Sequence, residues 1–195
     1  MKKIIAAAAL MLLTMGAKAQ RDTGTICVRP VAGVSVSNLT DLDGNKTRVG
    51  VGLISGAEVS YTIHPVVDVE AGLLYAMQGA KWSAEVGECK MKLEYLNVPI
   101  MASAELVKGL RIRSGVQLGF LMKAKEKLSD VAEVDVKDET KKVDVSIPLG
   151  LSYEYMGIVF DARYNFGLTR VFKSEMGLKA KNSVFNFTIG YKFAI

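Results

Sequence analysis

The sequence predicts an all-β fold, an eight-stranded antiparallel up-and-down transmembrane β-barrel, on three observations. Apolar and polar residues alternate in eight successive segments, and a period of two is that of an extended strand. The apolar positions carry many large side chains, whereas the polar positions are rich in Gly, Ser and Asn. Short links between segments alternate with long polar ones. An even number of antiparallel strands can close without edges, which favours a barrel.

The chain begins with a segment that predicts export. A basic start precedes an apolar run from 4 to 15, and residues 17–19 read Ala-Lys-Ala, the A-x-A pattern of a cleavage site. The run is shorter than the roughly 20 residues that a membrane-spanning helix needs. We therefore expect residues 1–19 to be a cleaved signal peptide and residues 20–195 to form an outer-membrane β-barrel domain.

The composition supports a membrane location and excludes a nucleic-acid partner. Half of the 195 residues are hydrophobic, and the mean hydropathy of +0.23 is high for a soluble protein. The formal charge falls from +5 to +2 without the three lysines of the leader. The remaining charges of both signs are interleaved, whereas a nucleic-acid-binding chain needs a basic stripe.

The first four predicted strands cover residues 26–37, 48–62, 67–81 and 92–106. In each strand, nearly every second residue is Val, Leu, Ile, Ala or Tyr, and the intervening residues are mainly small or charged. Pro99 falls on the polar set of the fourth strand. Because proline cannot donate to the ladder, it predicts a bulge that curves the wall.

The last four predicted strands cover residues 110–123, 142–155, 157–170 and 183–193. The seventh reads GIVFDARYNFGLTR, and the eighth reads SVFNFTIGYKF, so that the apolar sets of both are rich in aromatics. Pro148 lies on the polar set of the sixth strand and predicts a second bulge.

Alternation alone does not distinguish a lipocalin-like soluble barrel from an outer-membrane barrel. An eight-stranded lumen has room only for side chains, which suits the small polar set and places the large apolar set against lipid. Long links at 38–47, 82–91, 124–141 and 170–181 are expected to be outer loops, since outer-membrane barrels have short periplasmic turns. Aromatic residues also collect at both strand ends, as membrane interface belts do. These residues are Tyr61, Tyr153, Tyr155, Tyr191 and Phe193 at the turn end and Trp82, Phe120, Phe166 and Phe185 at the loop end.

An outward apolar face encloses the charged residues of the polar set. Buried charges must pair, and the two signs are nearly balanced, which predicts a structural salt-bridge network that plugs the lumen. A proton or ion relay is the alternative interpretation of the same charges. The predicted network consists of Arg29, Glu58, Asp68, Glu70, Glu105, Arg111, Arg113, Asp144, Glu154, Asp161, Arg163 and Lys192.

Three segments carry a family resemblance, and they are YLNVPIMASAEL (95–106), FDARYNFGLTRV (160–171) and FTIGYKF (187–193). They resemble the PorT-like family of outer-membrane β-barrel domain proteins, and the resemblance extends over residues 20–195. It implies an integral barrel in the outer membrane of a Gram-negative bacterium, inserted by the barrel assembly machinery. The namesake of the family is linked to the type IX secretion pathway, which suggests a role in secretion or envelope assembly.

Three function classes remain open. The first is a structural or interaction barrel whose outer loops bind a protein or ligand, and the alternative is a narrow transporter of small solutes or hydrophobic molecules. An enzyme is the third class, and we expect none, because the single histidine, His64, lies in a short turn before proline and is no evident catalytic base. We expect no catalytic, metal or cofactor site, and no cofactor.

Overall fold

A computed structural model describes residues 22–40, 47–84, 87–128, 134–135, 140–171 and 180–195, so the predicted leader lies outside the described residues. The strands are β1 (Ile26–Thr40), β2 (Thr47–His64), β3 (Val67–Ala84), β4 (Gly87–Val107), β5 (Leu110–Leu128), β6 (Val134–Asp135), β7 (Val143–Tyr155), β8 (Ile158–Arg170), β9 (Lys181–Tyr191) and β10 (Phe193–Ala194). Within these ranges, no helix has the length and apolarity needed to cross a membrane.

The strands close into a single antiparallel barrel. Strands β1 to β5 and β7 to β9 each pair with the next long strand in the chain, and β1 pairs with both β9 and β10. Strand β10 continues β9 beyond Lys192, and β6 pairs with the loop end of β5. Eight long strands therefore form a closed up-and-down barrel, as predicted. Closure removes the unpaired edges that a sheet would otherwise expose.

The apolar set faces outward and the polar set faces inward, as predicted for a membrane barrel. Val51, Leu53 and Phe160 are exposed by 75%, 63% and 53%, whereas Arg113 and Arg163 are exposed by 1% and 3%. A soluble barrel would reverse these values. The outer wall is thus built to contact lipid.

Three tight turns lie at one end of the barrel. They join β2 to β3, β4 to β5 and β7 to β8. In the last turn, Met156 and Gly157 both have positive φ, 50° and 82°, which is the geometry of a type I′ hairpin turn. Both ends of the barrel chain lie here too, because the Ile195 amide donates to the Ile26 carbonyl.

The ladders run further at the loop end than the sequence predicts. The predicted loop 82–91 is wrong, because β3 and β4 stay paired up to Ala84 and Gly87. Similarly, β5 extends to Leu128, and its end pairs with β6. The prediction stopped where lipid-facing apolar residues stopped. Backbone hydrogen bonding between strands does not require lipid-facing side chains. The strands therefore stay paired where the outward residues are charged.

At the loop end, the inside of the barrel becomes apolar. Ala80, Met91, Leu93, Tyr95, Leu121, Ala124, Val171 and Ala180 form one buried cluster. The outward positions beside them are charged, as at Lys92 and Lys123. An extra residue in β5, between the pairs Tyr95–Leu121 and Glu94–Lys123, turns Ala124 inward and leaves Lys123 and Lys125 outward. This part of the barrel therefore has the inside-outside polarity of a soluble protein.

The two strand prolines do not form the bulges that were predicted. Both side chains face the lumen and are fully buried. The register of β3 with β4 is the same on both sides of Pro99, and that of β5 with β7 is the same on both sides of Pro148. At each proline, two successive residue pairs are missing from one of the two ladders that its strand forms. The proline, which has no backbone N–H to donate, thus interrupts the pairing, but neither strand gains the extra residue that defines a bulge.

Candidate functional site

Glu58 is the centre of an ion-pair network that crosses the lumen. Its carboxylate, on β2, accepts hydrogen bonds from Arg29 on the neighbouring β1 and from two arginines on distant strands. Arg113 Nη2 on β5 lies 3.0 Å from Glu58 Oε2, and Arg163 Nη2 on β8 lies 2.8 Å from Oε1. The side chain of Glu58 is only 4% exposed. Three guanidinium groups from three strands thus share one buried carboxylate.

Two further carboxylates complete this network. Arg113 also donates to Glu70 on β3 and to Asp161 on β8. Arg163 Nη2 lies 3.1 Å from Asp161 Oδ1, and Arg29 Nη2 lies 3.9 Å from Glu70 Oε2. We call these six residues the central network, and it contains three arginines and three carboxylates. The equal charges offset the desolvation cost that each ion would carry alone.

A second cluster lies nearer to the tight turns. Arg111 on β5 contacts Asp68 and Glu105, each at 3.1 Å. Lys192, between β9 and β10, lies 3.5 Å from Asp68 and 4.0 Å from Glu154. These five residues were also predicted to face the lumen. The structure gathers them into a turn-end cluster beside the central network.

Asp144 is the one predicted network residue that lies apart from both clusters. It accepts hydrogen bonds from Thr169 and from Asn182 Nδ2, the latter at 3.3 Å, and Asn182 lies 3.4 Å from the hydroxyl of Tyr95. This hydrogen-bonded group occupies the loop end of the lumen. Register explains its position, because Asp144 is paired with Gly119, far along β5 from Arg111.

Little space remains between the two charged clusters. The cavity there has a volume of ≈ 10 Å³ and is lined by members of both, including Arg29, Glu70, Arg111 and Lys192. This is room for roughly one water molecule. At this level the lumen is filled by paired side chains.

Sequence reasoning missed the apolar side of the lumen. Val31, Ile54, Leu74 and Ala76 form a buried cluster on β1, β2 and β3. These four residues lie at the inward positions of the alternation that also places Arg29 and Glu70 inside. Apolar residues at positions of the polar set were therefore the sequence signal for an apolar patch in the lumen. Ser103 on β4 is also missing from the predicted network, and it accepts a hydrogen bond from Arg111 Nε at 3.2 Å.

The fold and its polarity agree with comparisons with known proteins. Residues 18–173 match the family model of the outer membrane protein β-barrel domain. The protein belongs to this family. Its place is accordingly the outer membrane of a Gram-negative bacterium. No curated protein sequence is significantly similar to this outer-membrane barrel.

Ail and neisserial surface protein A are two of the solved structures that resemble this outer-membrane barrel. Ail, the attachment invasion locus protein of Yersinia pestis, solved in complex with the heparin analogue sucrose octasulfate, is 15% identical with a TM-score of 0.52, over 88% of this chain and 100% of that one. Neisserial surface protein A is 12% identical with a TM-score of 0.55, over 86% and 97% of the two chains. At these identities the likeness shows the fold alone.

The outward charges of this outer-membrane barrel are concentrated at the loop end. Six charged side chains are exposed among those that the structure describes, and five of them are cations. The sixth, Asp22, precedes β1 at the turn end. We call the five cations the outer collar, and they are Lys92, Lys123, Lys125, Lys142 and Arg170.

The carboxylate of Glu94 is placed among the collar lysines. Glu94 lies opposite Lys123 in the register and 3.3 Å from its Nζ, beyond the apolar band of the wall. A hydrogen bond from the Tyr75 hydroxyl, together with Lys123 and Lys125, lowers the pKa of the Glu94 carboxyl, against the opposing effect of burial. Glu94 therefore stays ionised and cancels one of the positive charges on this face.

Proposed function

We propose that the protein is a structural or interaction barrel that acts through its outer surface and does not conduct solutes. The central network carries this proposal. It links β1, β2, β3, β5 and β8 across the lumen through direct ion pairs. A solute that passes through the barrel must separate these charges.

The free energy needed to open a path through the lumen supports a closed barrel. Arg113 is 1% exposed and contacts three carboxylates, those of Glu58, Glu70 and Asp161. Breaking a buried pair by removing one partner costs about 3–5 kcal/mol, and moving Arg113 aside would break three contacts together. A narrow transporter, the alternative function, would need a second arrangement of this network with its charges still paired.

The connections at the loop end are the proposed binding surface. Residues 41–46, 129–133, 136–139 and 172–179 lie in the links that join β1 to β2, β5 to β7 and β8 to β9, outside the described residues. These links are longer than the tight turns at the opposite end. Loops on a rigid barrel are the usual carriers of recognition, so we infer that an external protein or ligand binds there.

The resemblance to the PorT-like family makes the proposal more specific. We infer a role in secretion or envelope assembly, with the barrel assembly machinery needed for insertion and no enzymatic activity. His64 lies in the β2–β3 turn, where its Nδ1 is 3.5 Å from the Val66 amide nitrogen. No described group of three or more His, Cys, Asp or Glu side chains is arranged to hold a metal ion.

Two measurements test this proposal. The purified protein in planar bilayers is expected to show no conductance steps above background, and discrete steps would favour the transporter. In cells that lack the protein, a variant in which residues 126–139 are replaced by a two-residue turn is expected to leave the envelope defect uncorrected. The control lengthens the opposite turn after Lys108 by four residues and is expected to restore function. Full complementation by the loop variant would overturn the role of this loop.

A further inference from the structure

The loop end of the lumen is filled by apolar side chains that belong to neither charged cluster. Met91, Leu93 and Tyr95 on β4 and Leu121 on β5 are each exposed by 5% or less. They form one buried cluster with two alanines on β3 and β5 and with one residue at the loop end of each of β8 and β9. We call these eight residues the apolar cap.

The apolar cap reaches across the lumen. Val171 and Ala180 follow β8 and precede β9, whereas the other members lie on β3, β4 and β5. Strands β4 and β9 are four strands apart in the closed barrel of eight long strands, so they stand on opposite sides. Asn182 Nδ2 on β9 nevertheless lies 3.4 Å from the hydroxyl of Tyr95 on β4. Side chains from opposite sides of the barrel therefore meet within the lumen at this level.

The apolar cap is separate from the central network. On β5, Leu121 of the cap lies eight residues beyond Arg113 of the network. Eight residues at about 3.3 Å each, tilted by about 40°, rise about 20 Å along the barrel axis. The inward residues between them on β5 are Gly115, Gln117 and Gly119, which carry no charge. An ion that passed the network would therefore meet the cap as a second obstacle of different chemistry.

The apolar cap would stop an ion without any charge of its own. An ion among apolar side chains loses its hydration and gains no polar partner, and hydrophobic constrictions close channels in this way. The outward residues at this level, such as Lys92 and Lys123, are charged, so the inward apolar residues pack against one another as they do in a soluble core. This packing comes from apolar burial. The cap therefore does not depend on the ion pairs of the central network.

We propose that the apolar cap is a second closure of the lumen, in series with the central network, and that it keeps water on the outer side away from the network. The proposal rests on the proposed function, because both treat the barrel as closed. It goes further by assigning to the cap a barrier that remains when ion pairs of the network are removed.

Ser146 on β7 provides a probe of the compartment between the two closures. It is buried and paired with Gln117 in the register, and its hydroxyl lies 3.5 Å from Gln117 Nε2. The first experiment measures how fast a small charged thiol reagent labels Ser146→Cys in the folded protein in detergent micelles. Cys27→Ser and Cys89→Ser remove the native thiols. The reagent is a methanethiosulfonate that carries an ethylammonium group, and mass spectrometry measures the labelled fraction.

Truncation of the apolar cap should expose this thiol. Leu93→Ala with Leu121→Ala should raise the labelling rate of Ser146→Cys at least about a hundredfold, because each truncation weakens the packing by more than one tenfold step. The matched control is Leu53→Ala with Leu168→Ala, which truncates two outward leucines and should leave the rate unchanged. Each variant must keep the gel shift between unheated and boiled samples. Equal labelling rates in the cap variant and the control would overturn the cap as a closure.

The second experiment separates the cap from the proposed function. Glu58→Ala with Arg113→Ala removes one charge of each sign from the central network, and Asp161→Ala with Arg163→Ala is the equivalent pair if the first variant does not fold. In planar bilayers, the folded variant should show no conductance steps, because the cap stays in place. Steps from this variant beside a silent unchanged protein would overturn the cap and leave the proposed function intact. Steps from the unchanged protein would overturn the proposed function itself.

Discussion

Replacing Glu58 by glutamine would remove the carboxylate on which three guanidinium groups converge while keeping the size of the side chain. The central network would then hold three arginines against two carboxylates. Arg113 keeps Glu70 and Asp161, and Arg163 keeps Asp161. Arg29 keeps only Glu70, at 3.9 Å. The substitution thus leaves one buried charge poorly compensated.

The expected loss follows from that uncompensated charge. Removing one partner of a buried ion pair costs about 3–5 kcal/mol. The side chain of Glu58 is buried, with 4% of its surface exposed. We expect Glu58→Gln to lower the free energy of unfolding by this amount. Arg29→Gln added to Glu58→Gln restores two charges of each sign, so the double variant should be more stable than the single variant by at least about 1.5 kcal/mol.

The assay is urea unfolding in lipid vesicles, with the folded fraction read from the mobility of unheated samples on a gel. Glu105→Gln serves as the control, because its side chain is 18% exposed and its partner Arg111 retains Asp68. This control should lose no more than about 1 kcal/mol. The reasoning is refuted if Glu58→Gln stays within about 0.5 kcal/mol of the unchanged protein, or if Arg29→Gln adds to its loss.

Three more tests concern the apolar wall, a tight turn and the seam where the first and last strands pair. Val116→Lys, in the middle of the apolar band, should cost about 2–4 kcal/mol, and Met122→Lys at its outer edge about 0–1 kcal/mol; equal losses in urea unfolding would show that the band is misplaced. Met156→Asn should stabilise the barrel by about 0.5–1 kcal/mol, because Asn tolerates the φ of 50° better than Met does, and an unchanged or lower urea midpoint would contradict this. Gly33→Ala should abolish the folded band on the gel, since its Cβ would clash with the Phe187 carbonyl where β1 meets β9. The nearby Ser35→Ala adds no atom and should keep that band.

The sequence by itself determined the strand number, the direction of each face and the ends at the tight turns. A period of two needs no tertiary information, because successive side chains of any strand point to opposite faces. The choice between a membrane barrel with the apolar set outside and a soluble barrel with that set inside also followed from size. The small polar set suits the narrow lumen of eight strands, and the large apolar set suits lipid. Eleven of the twelve residues predicted for the lumen network lie in the two charged clusters.

Only the tertiary structure decided which charges meet and where the wall leaves the membrane. Glu58 and Arg163 are 105 positions apart, and their contact depends on barrel closure and on the stagger of every ladder between them. The same stagger separates Asp144 from the clusters, although its alternation is the same as theirs. The strands also continue past their lipid-facing residues, because backbone hydrogen bonds form between strands whether the side chains face lipid or water. Alternation specifies a face, whereas the height of a residue along the barrel is set by register.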